Sequence, residues 1–262
     1  RATVYWTGNN WPVAWALDAT SELTTDSMPS GYCRKTRAVG VGDEFKIVNT
    51  GWATNYGAGY WITSYDQTWT FGKDAANAQI QGAPNTFVTL VSTTNPTDSP
   101  TSFGFMTTSA SPIWITACSN VATTNPGTIY IDSAVTVNIT LSAAKCAEER
   151  VIVRYSTDTW ATSQFVEATG GGTSYSSTLK ISSPGVVRYY AMTTTCTTTG
   201  TLSHATADLL TLSMRDNGGS HFSFEVTFDP AVGKIVDGQV WDWTSSQKIP
   251  TINTGNVALA SS

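Results

Sequence analysis

The feature that most constrains this chain is a two-residue alternation of apolar and polar side chains, which recurs in short runs along its length. In residues 135–141 and 151–155, every second side chain is valine, isoleucine, leucine or tyrosine. This period matches a strand with one buried face, and the period of an amphipathic helix is almost absent. The pattern therefore predicts an all-β fold. Similar runs occupy residues 11–17, 45–49, 60–65, 68–71, 87–91, 103–107, 112–118, 175–181, 186–192, 209–214 and 222–228.

Turn signals and a linker-like segment divide these runs into two modules. The segment 121–128 mixes Thr, Asn, Pro and Gly, a composition typical of a linker or turn. Strands at short, regular spacing, as in the second half, are typical of a Greek-key sandwich. Two tandem Ig-like β-sandwich domains are therefore predicted, at 1–122 and 128–228. The turn signals of the second half lie at residues 169–172, 183–185 and 216–219.

The remaining residues, 229–262, are too few for a third domain and predict an extended C-terminal strand or tail. Such a segment can pack on its own chain or add a strand to another copy of it. Trp241 and Trp243 flank Asp242, so a strand would place both rings on one face. These two rings either dock on the second domain or contact a partner.

The chain has four cysteines, Cys33, Cys118, Cys146 and Cys196, which allow three pairings. The local pairing, Cys33–Cys118 with Cys146–Cys196, predicts one disulfide in each half. Each bridge would stabilise the fold by about 3–5 kcal/mol in the chain-entropy model. The alternative is four reduced, buried thiols. No CxxC is present and the two His lie far from the cysteines, so no metal site is predicted.

The charge content of the chain argues against some classes of binding partner. Only 13% of residues are charged, against about 25% in a typical domain, and the formal net charge is −5. No basic stripe is present, which argues against nucleic acid, and no run of 18 apolar residues could span a bilayer. A polar, uncharged surface rich in Thr, Ser and Asn predicts an extracellular or cell-surface protein whose partner is a polysaccharide or oligosaccharide.

Two local patterns resemble known modules. Residues 45–57, FKIVNTGWATNYG, followed by NAQI at 77–80, resemble the starch-binding sandwich modules of SusE/SusF-type outer-membrane proteins, although residues 81–118 diverge. Residues 151–160, VIVRYSTDTW, are similar to Ig-like modules appended to secreted glucan-active enzymes and to starch-binding modules of the family-21 carbohydrate-binding type. These resemblances imply a β-sandwich fold and an α-glucan ligand.

Aromatic side chains are the candidate ligand contacts, because a ring face can stack on the apolar face of a pyranose while nearby amides and carboxylates bind its hydroxyls. The alternative for each Trp is a place in the sandwich core. Trp160 lies beside Asp158 and Thr159 in a polar, loop-like context, as does Trp52. The predicted ligand-binding residues are Trp52, Asn55, Tyr56, Trp61, Trp69 and Trp160.

No catalytic or cofactor motif is present. The chain lacks a GxSxG elbow, a P-loop and a GxGxxG turn, and its acidic pairs lie at predicted turns. Residues 216–219 offer oxygen ligands for calcium, but an ordinary hairpin turn is the favoured interpretation. We therefore predict that the chain is not an enzyme and has no cofactor.

Two features of the sequence are candidate glycosylation sites. Asn138 begins an Asn-Ile-Thr sequon within a predicted strand. The threonine runs 193–195 and 197–199 could carry O-linked glycans or form a polar edge of a sheet.

The sequence thus predicts a non-catalytic carbohydrate-binding protein for α-glucan. The alternative is an extracellular structural subunit, such as a filament, surface-layer or adhesin protein, that assembles with copies of itself through the tail.

Overall fold

The computed structural model describes most of the chain and shows an almost entirely β protein, which confirms the predicted fold class. Its helices, within the described part, are the short α1 (Val121–Thr124) and α2 (His204–Leu209). None of the helices described is long and apolar enough to cross a membrane. The described residues are 3–49, 51–58, 61–196 and 204–229, together with the strand backbone at 235–236, 239–242 and 247–248.

The N-terminal half forms one nine-stranded sheet that folds over itself into two layers. Strand β6 (Gln67–Lys73) pairs with β9 (Thr101–Thr108) along its first part and with β4 (Thr54–Gly57) near its end, so it joins the layers. The sheet order is β2-β8-β9-β6-β4-β3-β7-β5, and β1 pairs with β3. The other strands are β1 (Val4–Gly8), β2 (Tyr32–Arg37), β3 (Glu44–Asn49), β5 (Trp61–Ile62), β7 (Ala78–Ile80) and β8 (Phe87–Thr93).

Large aromatic side chains fill the space between these layers. Phe45 on β3 lies 5.9 Å from Phe105 on β9 and 5.8 Å from Trp6 on β1, measured between ring centroids. All three rings are fully buried, and such edge-on and tilted contacts add to the free energy of burial. The predicted strand at 11–17 is wrong, because these residues form turns. Trp11 nevertheless joins the core, where its Nε1 donates to the carbonyl of Trp6 (2.6 Å).

The C-terminal half packs a four-stranded sheet on a six-stranded sheet. The first has the order β10-β12-β16-β15, and the second β11-β19-β17-β13-β14 with β18 on β17. Its strands are β10 (Ile115–Cys118), β11 (Ile129–Tyr130), β12 (Ala134–Leu141), β13 (Arg150–Ser156), β14 (Gln164–Glu167), β15 (Thr169–Gly171), β16 (Ser174–Lys180), β17 (Gly185–Thr194), β18 (Ser213–Arg215) and β19 (Phe222–Thr227).

The predicted alternation places the C-terminal core correctly. Every second residue of β12, from Val135 to Leu141, is buried, and so are Val151, Val153 and Tyr155 of β13. These side chains belong to one apolar cluster between the two sheets. The predicted strand at 209–214 is wrong in part, since Leu209 ends α2 and the strand spans only Ser213–Arg215.

The division between the halves lies earlier than predicted. Strand β10 pairs with β12, and both Ile113 and Ile115 pack in the C-terminal core. The predicted boundary assigned this strand to residues 1–122. The supposed linker instead begins with α1, where Val121 is buried and donates its N–H to the Tyr189 hydroxyl (2.8 Å).

A third apolar cluster joins the two halves, so they pack against each other. Met28, Val91 and Met106 of the N-terminal half pack with leucines 209, 210 and 212 of the C-terminal half. The approach is close at Gly104, where an added Cβ would lie 1.8 Å from the carbonyl oxygen of Leu209. This buried contact fixes the loops of one half beside those of the other.

Neither predicted disulfide is present, because Cys118 and Cys146 are free thiols. Cys33 lies in the N-terminal core, with its Sγ 3.6 Å from the carbonyl of Ser92, whereas Cys118 packs against the C-terminal core. The pairing Cys33–Cys118 is therefore wrong in this structure. The pairing Cys146–Cys196 is wrong as well, since the Cys146 Sγ lies 3.4 Å from a carboxylate oxygen of Glu149.

The C-terminal segment is not simply extended. Strands β20 (Ile235–Val236), β21 (Gln239–Asp242) and β22 (Gln247–Lys248) pair antiparallel with one another. Among the described strands they form a separate three-stranded sheet. Trp241 belongs to β21, and Trp243 lies outside the described residues.

Candidate functional site

Three of the predicted ligand residues serve the N-terminal fold instead. Tyr56 is fully buried and donates its hydroxyl to the carbonyl of Pro96 (2.8 Å), so its prediction as a ligand contact is wrong. Trp69 packs on the core and donates Nε1 to the carbonyl of Ser64 (3.1 Å). Asn55 is tied to its neighbours, accepting from Lys46 Nζ (2.5 Å) and donating to Asp74 (2.8 Å).

Trp52 and Trp61 are both exposed, but the structure does not bring them together. Trp52 is 42% exposed in the turn after β3, with a φ of +67°. Trp61 is 60% exposed on β5. It pairs with Gln79 of β7, and Gln79 pairs in turn with Glu44 at the start of β3. Trp61 therefore lies level with the start of β3 and Trp52 follows its end, and the five residue steps between Glu44 and Asn49 span about 17 Å at ~3.4 Å per residue. The two rings therefore cannot stack on the same sugar.

The ring of Trp61 stands beside a row of amides and a carboxylate on the outer face of the sheet. Trp61 pairs with Gln79, and Gln79 pairs with Glu44, so these side chains share one face. Asn77 Nδ2 donates to Glu44 Oε2 (3.1 Å), and Gln81 Nε2 donates to Gln79 Oε1. We call these five residues the Trp61 surface. It offers one apolar ring face with hydrogen-bond donors and acceptors beside it.

Trp160 lies in the C-terminal half, in a loop held by its own polar side chains. The Trp160 N–H donates to Ser156 Oγ (2.8 Å), and Asp158 accepts from the hydroxyl of Thr162 (2.6 Å) and from its N–H. The Thr162 hydroxyl is the main reason that the pKa of Asp158 is lowered to about 2. Asp158 therefore shapes the loop, while Thr159 and Trp160 take φ values of +60° and +70°.

The ring of Trp160 belongs to a cluster of three. It lies 5.4 Å from Tyr190 and 4.8 Å from His221, and the last two rings stack at 5.4 Å. His221 also has a positive φ, +59°, which is uncommon for a residue other than glycine. Its partial burial lowers its pKa below the ordinary value of 6.5, so the imidazole is neutral at physiological pH.

A buried ion pair lies behind these rings. Arg154 is fully buried, and its guanidinium donates to Asp208 Oδ1 (2.9 Å), to the Tyr190 hydroxyl (2.5 Å) and to Ser163 Oγ (3.0 Å). The guanidinium carbon also lies 5.5 Å from the centre of the Trp160 ring. A buried charge of this kind is tolerated only with a partner and good hydrogen bonds, and Arg154 has both. It fixes Tyr190 and Asp208 in place.

The predicted turn at 216–219 is a loop that interrupts a strand edge, so its prediction as a hairpin turn is wrong. Strand β17 pairs with β18 up to Ala191–Arg215 and with β19 from Tyr189–Phe222. Residues 216–221 therefore leave the sheet opposite Tyr190. Within the loop, the Gly219 N–H donates to Asp216 Oδ1 (3.1 Å).

These elements line a cavity of about 170 Å³, which we call the Trp160 cleft. The three rings form its wall, and carboxylates of Asp208 and Asp216 face it. Pro29 and Ser30 of the N-terminal half close the other side, where the Met214 N–H donates to the carbonyl of Ser27 (2.8 Å). A neighbouring cavity of about 300 Å³ shares Ser30 and Asp216 with it. Of the predicted ligand residues, the cleft contains only Trp160.

The predicted glycosylation positions differ in their exposure. Asn138 and Thr140 are exposed on β12, so the sequon stays a prediction. Thr193, Thr194 and Thr195 are buried, and Thr195 donates its hydroxyl to Asp66. The prediction of O-linked glycans on residues 193–195 is therefore wrong. The threonine run 197–199 lies outside the described residues.

Comparisons of the chain with protein-family models, with curated proteins and with solved structures find no match. The resemblance to starch-binding modules therefore stays a prediction. The Trp61 surface and the Trp160 cleft are the two candidate binding sites of the chain.

Proposed function

We propose that this chain is a non-catalytic carbohydrate-binding protein of the cell surface or extracellular space, and that it binds an α-glucan through the Trp61 surface. The observation that supports this proposal most is the exposed Trp61 ring, 60% accessible, in register with the side chains of Gln79 and Glu44. Trp61 lies between residues 45–57 and 77–80, the segments whose sequence resembles SusE/SusF-type starch-binding modules.

The physical basis is the match between this surface and a pyranose. A ring face gains about 0.5–1.5 kcal/mol from a stacked partner beyond the free energy of area burial. The amides of Gln79 and Gln81 can donate to hydroxyls and accept from them, while the Glu44 carboxylate gives stronger, charge-assisted hydrogen bonds. Because the surface is open, it can contact a glucan along its length without requiring a chain end.

A pull-down on insoluble starch tests this proposal. Wild-type protein is expected to sediment with starch, and a much smaller fraction of Trp61→Ala is expected to sediment with it. Trp114→Ala is the matched control, because Trp114 is 53% exposed but lies in the C-terminal half. Equal sedimentation of all three proteins would contradict the role of Trp61. Failure of the wild type to bind starch or any of several other polysaccharides would reject the function itself.

The non-catalytic part of the proposal has a separate test. Incubation of the protein with maltoheptaose should release no new reducing ends over a day. A glycosidase would need two positioned carboxylates across the scissile bond, and Asp208, which faces the cleft, is bound to Arg154. Steady release of glucose or shorter oligosaccharides would refute this part.

Self-assembly is the second candidate function. The observation that favours it is that strands β20, β21 and β22 pair only with one another among the described strands, which leaves sheet edges that a second chain could extend. Light scattering of the full chain and of a chain ending at residue 229 tests it. A larger mass for the full chain alone is expected under this proposal, and equal monomer masses would contradict it.

A further inference from the structure

The Trp160 cleft is assembled from both halves of the chain, which distinguishes it from the Trp61 surface. Loop 27–30 closes it from the N-terminal side, and loop 216–221 leaves the sheet to line it from the other. The buried apolar cluster between the halves holds these loops in place. The cleft is therefore a fixed, concave feature, the usual form of a small-molecule site.

Its backbone is strained where it meets the cavity. Trp160 and His221 have φ values of +70° and +59°, and the φ values of Thr159 and Asn217, in the same two loops, are also positive. Non-glycine residues in this region are costly and persist where the surrounding structure enforces them, often at ligand sites. Two strained loops from different parts of the chain converge on one cavity and present their rings to each other.

Two carboxylates line the cleft, those of Asp208 and Asp216. Asp208 is paired with the buried Arg154, and Asp216 accepts from the Gly219 N–H within its own loop. His221 is neutral at physiological pH. The wall therefore offers aromatic faces beside hydrogen-bond acceptors, which favours a ligand that has an apolar face and several hydroxyl groups.

The size of the cavity limits the ligand to a single ring. Drug-sized ligands occupy pockets of about 300–1,000 Å³, and this cavity of about 170 Å³ is smaller. Tyr190 and Asp208 line it, and both are held by the fully buried guanidinium of Arg154. A sugar chain can therefore enter only with its last ring, while the larger neighbouring cavity leaves room for the next one.

We infer that the Trp160 cleft is a second binding site, which takes the terminal pyranose of a glucan chain. This inference rests on the proposed function for its sugar class, but it concerns a different site and a different part of the ligand. The Trp61 surface would hold the body of a chain, and the cleft would hold its end. Binding of one chain at both places would raise the overall affinity by an effective-concentration effect.

The test compares maltoheptaose with β-cyclodextrin, because the two have the same number of glucose units and only the first has chain ends. Isothermal titration is carried out on the wild type and on Trp61→Ala. The expected result is that Trp61→Ala still binds maltoheptaose at one site and no longer binds β-cyclodextrin. Loss of both ligands, or retention of both with equal affinity, would overturn the inference.

Two cleft variants, each combined with Trp61→Ala, locate the remaining site. Ser30→Trp fills the cavity from an exposed position, and His221→Asn removes a ring while keeping a residue type that tolerates a positive φ. Each should weaken maltoheptaose binding at least ten-fold, while a single cooperative urea-unfolding transition shows that the variant is folded. Unchanged affinity in Ser30→Trp would overturn the inference.

The two proposals fail in different ways. If the wild type binds both glucans and Trp61→Ala binds neither, the Trp61 surface stands and the cleft site is rejected. If Trp61→Ala binds both glucans as the wild type does, the Trp61 surface is rejected. If the wild type binds neither glucan, both proposals are rejected for this sugar class.

Discussion

Removal of the Asp208 carboxylate should destabilise the protein more than any exposed substitution, because it leaves the Arg154 charge buried. The Arg154 side chain is 0% exposed and that of Asp208 is 11% exposed, and the two are 2.9 Å apart. Removing one partner of a buried ion pair costs about 3–5 kcal/mol. Since Asp208 reaches the cleft, where water can enter, we expect the lower end of this range for Asp208→Ala.

The expected change is large enough to measure in two ways. A loss of about 3 kcal/mol corresponds to a fall of roughly 6–12 °C in Tm at about 2–4 °C per kcal/mol. Urea unfolding followed by tryptophan fluorescence gives the free energy directly. Asn at this position should cost less than Ala, because its carbonyl oxygen can still accept from the guanidinium.

A double-mutant cycle separates the ion pair from simple loss of packing. Arg154→Met removes the charge and keeps an apolar side chain of similar length, so Arg154→Met/Asp208→Ala should be less destabilised than the sum of the single variants by about 1–3 kcal/mol. Strict additivity, or a loss below about 1 kcal/mol in Asp208→Ala, would refute the description of this pair as buried and coupled.

Three further outcomes are expected. Gly104→Ala should lower Tm by roughly 2–12 °C, because its Cβ meets a backbone carbonyl of α2 and overpacking costs about 1–3 kcal/mol. Gly171→Ala is the control, because a Cβ at Gly171 meets nothing within 4 Å, and equal Tm values of the two variants in calorimetry would contradict the close contact at Gly104. The pKa of His221 is lowered in the folded protein, so the unfolded chain binds the proton first, and the free energy of unfolding should fall as the pH drops below about 6.5. His221→Asn should reduce this fall in urea titrations, and an unchanged dependence of the free energy of unfolding on pH would argue against burial of His221. Iodoacetamide should label Cys146 before Cys118, whose burial raises its pKa to about 12, and the reverse order in peptide mass spectra would contradict these environments.

The strand pattern could be predicted because it is local. In β12, each side chain from Val135 to Leu141 alternates between core and solvent, which the sequence displays directly. The same reasoning failed at Tyr56, where a short polar context, Thr-Asn-Tyr-Gly, hides a side chain that points into the core. A two-residue period does not tell which of two faces a short strand buries.

The junction between the halves could not be predicted, because its contacts join residues that are far apart in sequence. Gly104 meets Leu209, and Ser27 meets Met214. One signal was available, however. From Val151 to Tyr155, β13 is apolar on both faces except at Arg154, so a charge in such a run marks a position that needs a buried partner.

Isothermal titration of the wild type and of Trp61→Ala with maltoheptaose tests the central claim most directly. A sugar that covers one face of a 60% exposed Trp buries about 60 Å², or ~1.5 kcal/mol, and stacking adds about 0.5–1.5 kcal/mol. Trp61→Ala loses both contributions, so its affinity for maltoheptaose at the Trp61 surface should be roughly 30- to 150-fold lower than that of the wild type. The affinity of Trp114→Ala should equal that of the wild type. Equal affinities at that surface in all three proteins, or no heat of binding in the wild type, would contradict the account.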